Sequence, residues 1–66
     1  MTEKINDFII FCIEIYKEEK NKAGEEIYNL FKEKKVFDFL KDCYDILHTQ
    51  GDSYIIESIS EFIKNN

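Results

Sequence analysis

Apolar side chains recur three and four residues apart through almost the whole chain, and no proline interrupts them. Ile5, Phe8, Ile9, Cys12, Ile13 and Tyr16 form the first such series. At about 100° per residue they share one face of a helix, with Asn6, Asp7, Glu14, Lys17 and Glu18 opposite. Ile27, Leu30 and Phe31 form the second series, with Tyr28 beside them and its hydroxyl free to reach water. Val36, Phe39, Leu40, Cys43, Ile46 and Leu47 form the third, and Ile55, Ile56, Ile59, Phe62 and Ile63 the fourth. The pattern predicts an all-α fold, a compact bundle of four short helices over about residues 3–20, 24–34, 36–49 and 53–64, joined by short turns. Sixty-six residues make one such domain, 1–66.

Helix ends follow from charge and glycine. Glu25 and Glu26 put negative charge at the start of the second helix, and Lys32, Lys34 and Lys35 finish it, both in the sense that favours the helix dipole. Gly51 is expected to end the third helix as a left-handed cap, with His48 in its last turn. Asp52 or Ser53 then caps the fourth. Ile10 and Phe11 depart from the first helix's pattern, Ile10 among polar residues and Phe11 on the far rim, and so mark either a buried helix or a contact site.

A chain this short buries only about 60% of the surface its unfolded form exposes, so little stability is in reserve. Its 44% apolar content nevertheless separates it from disordered chains of similar charge. Cys12 and Cys43 both fall on apolar faces, where reduced thiols act as small hydrophobes. The net charge is −5, from fourteen acidic residues against nine lysines with no arginine. A phosphate backbone is recognised by clusters of lysine and arginine, so nucleic acid is a poor partner and a basic protein surface a better one. The longest apolar run, Phe8 to Ile13, is too short for a membrane span, and no secretory leader pattern opens the chain, which makes a cytoplasmic location the expectation.

Nothing in the sequence assembles catalytic machinery. His48 is the single histidine. Five residues separate it from Cys43, roughly 140° round a helix, so thiol and imidazole diverge, and a histidine at a helix C-terminus is expected to bond local carbonyls. One histidine and two separated cysteines do not form zinc-ligand spacings, and no glycine-rich phosphate loop is present. The expectation is no enzyme, no cofactor and no metal. Carboxylate pairs such as Glu14 with Glu18 and Glu57 with Glu61 read as surface.

Recognition is what remains. Asp38, Asp42 and Asp45 are spaced four and three apart on the third helix, a ridge that repels itself by a few tenths of a kcal/mol per pair unless a basic partner neutralises it. Ten phenylalanines and tyrosines in 66 residues exceed what a small core readily absorbs, and such rings anchor protein interfaces. The candidate partner-binding residues are therefore Asp38, Asp42, Asp45, Ile10, Phe11 and Tyr44. Two alternatives remain: a structural module that self-associates as a homodimer through Ile10 and Phe11, and a helix-turn-helix DNA binder, which would need a basic recognition helix where this chain has an acidic one.

Three segments carry a family resemblance: F-I-I-F-C-I-E-I-Y-K at residues 8–17, V-F-D-F-L-K-D-C-Y-D-I-L-H-T-Q-G at 36–51, and Y-I-I-E-S-I-S-E-F-I at 54–63. Together they resemble a family of short bacterial proteins, domain of unknown function 3791. The resemblance implies a gene neighbourhood shared with a larger protein similar to an ADP-ribosyltransferase toxin, and so an antitoxin or immunity role. Relatives carry Ser or Thr just before the glycine of the second helix, forming a capping box with the glutamate three residues on. This chain has Ala23 before Gly24, with Glu26 at that spacing, so the side-chain acceptor is lost.

Overall fold

The computed structural model describes residues 2–65, with side chains from Lys4 onward. Among these residues five helices follow one another: α1 (Thr2–Lys20), α2 (Gly24–Glu33), α3 (Val36–Asp42), α4 (Tyr44–Leu47) and α5 (Asp52–Lys64). There is no strand among the described residues. α1 packs against α2, α3 and α5, and α3 also touches α2 and α5. The Cα radius of gyration, 10.8 Å, is about that of a folded globule of this length.

The core is the set of apolar stripes meeting. Phe8, Cys12 and Tyr16 of α1 close on Ile27 and Phe31 of α2, Val36 and Leu40 of α3, Leu47 of α4, and Ile55 and Ile59 of α5. Phe31 is fully buried at the centre of an aromatic run: its ring lies 5.4 Å from Tyr16 and 6.0 Å from Phe37, both edge-on, and Phe37 in turn lies 5.3 Å from Tyr28. Edge-to-face rings add about 0.5–1.5 kcal/mol per pair beyond the area they bury. Phe39 stacks on Phe62 at 4.4 Å, tying α3 to α5. The Tyr16 hydroxyl, brought inside with its ring, meets Ser60 Oγ at 3.1 Å, so its burial leaves no unsatisfied polar atom.

α1 is closed by the turn at Asn21. Asn21 adopts the left-handed conformation with φ 54°, the Lys22 N–H donates to Lys17 O at 3.0 Å, and the Asn21 N–H donates to Glu18 O at 3.3 Å. That double closure is a Schellman turn, and asparagine is the residue that best replaces glycine there. Lys35, between α2 and α3, also has a positive φ, 61°. Lysine has no such tolerance, so the turn carries strain of about 1 kcal/mol.

α2 begins at Ala23, whose φ of −73° and ψ of 148° already suit an N-cap residue. Only half a capping box forms: the Ala23 N–H donates to Glu26 Oε1 at 3.4 Å, and alanine has no oxygen to return the bond. Ala23→Ser supplies that oxygen with no backbone change. It is expected to raise stability by about 0.5–2 kcal/mol in urea denaturation; an unchanged midpoint would mean that water already satisfies the first turn.

The third predicted helix, 36–49, is two. Cys43 sits between α3 and α4 at φ −104° and ψ 12°, and its carbonyl accepts from both Ile46 N–H (3.1 Å) and Leu47 N–H (2.9 Å), restarting the helix. With the break, Leu40 and Leu47 are both buried and the Tyr44 ring lies edge-on to Phe8 at 5.4 Å. Ile46, expected in the core stripe, is turned outward instead and is 62% exposed. Gly51 differs from expectation too. It is extended, φ −74° and ψ 165°, and is itself the N-cap residue of α5, with its carbonyl accepting from Ile55 N–H at 3.2 Å. Neither Asp52 nor Ser53 holds the cap position, and α5 has no side-chain cap; Asp52 instead sits in its first turn, where its charge favours the dipole. The end of α4 is satisfied by side chains: Thr49 Oγ1 donates to Ile46 O at 2.9 Å and His48 Nδ1 to Tyr44 O at 2.6 Å.

Candidate functional site

The α3–α4 segment carries the acidic candidates. Asp38, Asp42 and Asp45 are all exposed. Asp38 and Asp42 stand one turn apart on α3, while Asp45 belongs to α4 beyond the break at Cys43, so the ridge is two carboxylates on one helix and a third on the next. Exposed Ile46 follows Asp45 directly on α4. An oily side chain next to Asp45 is the component of this surface that the helical spacing concealed, because that spacing assigned Ile46 to the core.

Ile10 and Phe11 do project from the folded body, at 59% and 42% exposure, as do Tyr28 at 49% and Tyr54 at 53%. Of the two meanings open for Ile10 and Phe11, a buried helix is thereby removed. Tyr44 is engaged within the protein. Its ring is half-buried, edge-on to Phe8 and stacked on His48 at 4.3 Å with 6° between the planes. The same backbone carbonyl, Tyr44 O, accepts from the His48 N–H at 2.9 Å and from Nδ1, so Nδ1 carries a proton and the imidazole is occupied in closing the helix.

Cys12 is completely buried, and burial pushes its thiol up to about 12. Thiolate is the reactive form, so this group is inert at neutral pH. Cys43, half-buried at the α3–α4 break, is also a free thiol. No group of three or more His, Cys, Asp or Glu side chains is placed to hold a metal ion among the described residues. Glu14, one of the carboxylates noted in the sequence, pairs with Lys17 at 3.4 Å. Also among the described residues, no helix is long and apolar enough to cross a membrane.

Two surface grooves flank α1. One, of about 400 Å³, runs between its C-terminal end and α2, lined by Tyr16, Lys20, Lys22, Glu26, Ile27 and Leu30. The other, about 350 Å³, lies against the start of α5 between Ile15, Glu18, Glu19, Asp52, Ser53 and Ile56. Neither is deep, and they differ in sign: lysines border the first and carboxylates the second.

A family model described as a protein of unknown function, DUF3791, matches residues 7–66, from the first turns of α1 to the end of the chain. The chain belongs to this family. All the candidate residues, Ile10, Phe11, Asp38, Asp42, Tyr44 and Asp45, lie inside the DUF3791 match, as do both grooves. No protein of curated function and no solved structure matches the chain.

Proposed function

We propose that this DUF3791 protein is a non-catalytic interaction module of the antitoxin or immunity type, which binds and neutralises a neighbour-encoded toxin resembling an ADP-ribosyltransferase. One observation carries the reading. With every helix packed on one core, five large apolar side chains among the described residues, Ile10, Phe11, Tyr28, Ile46 and Tyr54, still stand in water. Aromatic and large aliphatic side chains of this kind are what the cores of protein interfaces cover. The exposed Asp38, Asp42 and Asp45 supply approach: negative potential steers a basic partner, and the oily side chains hold it.

A growth assay tests the proposal. Co-expressing the chain with the neighbour-encoded protein restores growth that the neighbour alone suppresses, and the two purify as one complex; growth that stays suppressed overturns the reading. Replacing Asp38, Asp42 and Asp45 together with lysine is expected to slow association by about tenfold or more at low salt, with the difference shrinking as salt screens the charges. Stopped-flow or surface-binding kinetics read this directly, and an unchanged on-rate at low salt removes the three aspartates from the interface.

A second reading rests on Ile10, which stands on the side of α1 opposite its buried face. A second copy of the chain could cover it, together with Phe11. A dimer seen in light scattering, abolished by Ile10→Asp, supports self-association in place of a toxin partner.

A further inference from the structure

We propose that the groove between the C-terminal end of α1 and α2 binds a small amphipathic carboxylic acid, with the carboxylate on Lys20 and Lys22 and the apolar body on Tyr16, Ile27 and Leu30. Its volume, about 400 Å³, falls in the range of about 300–1,000 Å³ typical of small-molecule sites, which are mostly apolar with a few charged groups that fix orientation. The floor is firm. Tyr16 and Ile27 are buried, and the Tyr16 hydroxyl is tied to Ser60, so the ring presents a fixed wall and not a movable one.

The charges at the mouth are the second component. The Lys20 ammonium already lies over the Tyr16 ring, 5.4 Å from its centroid. Lys22 follows the Schellman turn, its backbone pinned to Lys17 O, so its side chain leaves from a fixed point beside the groove. Among the described residues Glu14 pairs with Lys17, and no carboxylate is paired with Lys20 or Lys22 in a chain that has fourteen acidic residues to offer. Glu26, the single acid in the lining, turns its oxygen to the Ala23 N–H. Two cations against one engaged anion give the groove a local positive sign in a chain whose net charge is −5. An acid with an oily body satisfies both parts: its carboxylate accepts hydrogen bonds from the ammonium groups, and its chain leaves water to pack along the partly exposed Leu30 and the edges of Tyr16 and Ile27.

This proposal is independent of any protein partner, and its probe is octanoate, titrated below its micelle concentration into the ¹⁵N-labelled chain. The expected result is saturable, one-to-one movement of backbone amide signals within residues 16–30. Octanol, of the same length without the charge, binds about tenfold more weakly or less. The double variant Lys20→Gln, Lys22→Gln loses a similar factor, while Lys20→Arg, Lys22→Arg retains binding; both change exposed residues, and a wild-type-like spectrum verifies their fold. Equal affinity for octanol, movement centred on Ile10, Phe11, Ile46 or Tyr54, no saturable movement, or full binding by the glutamine variant overturns the proposal.

Discussion

Phe31→Ala is expected to leave most of the chain unfolded at room temperature, or at best to lower its melting temperature by about 15 °C or more. Removing a fully buried phenylalanine costs about 3–5 kcal/mol, through lost transfer energy and the cavity left behind. A chain of 66 residues has only about 3–10 kcal/mol in total. The loss is concentrated because Phe31 touches the rings of both Tyr16 and Phe37, so its removal ends two edge-to-face contacts and hollows the α1–α2 seam. Tyr28→Ala removes the outer ring of the same aromatic run, which is already half in water, and is expected to cost far less. Urea denaturation of the two variants checks the ranking; if Phe31→Ala loses under 1 kcal/mol, the core is not organised around that ring.

The second large effect is alkaline. Cys12 is buried with its thiol raised from the ordinary 9.0 to about 12, by desolvation. The unfolded chain therefore releases this proton before the folded one. The contribution is fully present below pH 9 and is lost as pH rises from 9 towards 12, because deprotonation then favours the unfolded state. At about 1.4 kcal/mol per unit, the loss reaches roughly 2–3 kcal/mol by pH 11. Tyrosines and lysines titrate in the same interval, so the measurement is a difference: wild type loses that much more stability between pH 9 and 11 than Cys12→Ala does. Parallel stability curves would show that the Cys12 thiol ionises in the folded state as readily as in water. The same burial predicts that iodoacetamide at pH 8 labels Cys43 in the native chain and reaches Cys12 only after unfolding.

α1, α2 and α5 were legible because their apolar residues obey three-and-four spacing, and the glutamates opening α2 and the lysines closing it mark its ends by residue type; the left-handed Asn21 that closes α1 was not singled out. The α3–α4 break was not. Val36, Leu40, Cys43 and Leu47 keep helical spacing straight across it, and neither glycine nor proline stands near. What distinguishes Cys43 is tertiary: Tyr44 sits against Phe8, thirty-six positions away in the chain, and local pattern holds no record of that contact. Ile46 was misassigned for the same reason, since its place in the stripe assumed an unbroken helix. Gly51 shows a different limit. A glycine after a helix predicts a left-handed cap, yet here α5 begins at once and glycine serves as an extended N-cap, with open space where a Cβ would stand.

Of the surface residues, Ile10 and Phe11 were visible because they violated a regular pattern, and the aspartates because charge leaves few alternatives to exposure. Tyr44 was not separable from the exposed tyrosines by sequence. Only the fold shows its ring engaged by Phe8 and His48, while Tyr28 and Tyr54 stand about half in solvent. The α1–α2 groove had no sequence signal, since its walls come from a turn and two helices whose approach is set by Tyr16, Ile27 and Phe31.

The proposed role requires that the chain act by occupancy, one molecule for each molecule blocked. Titrating it into the purified neighbour-encoded enzyme measures this without reference to any single contact. The account predicts that activity falls linearly to its floor at one equivalent and does not decline further with time. Continued, time-dependent inactivation at a small fraction of an equivalent, or full activity at a large excess, would contradict it.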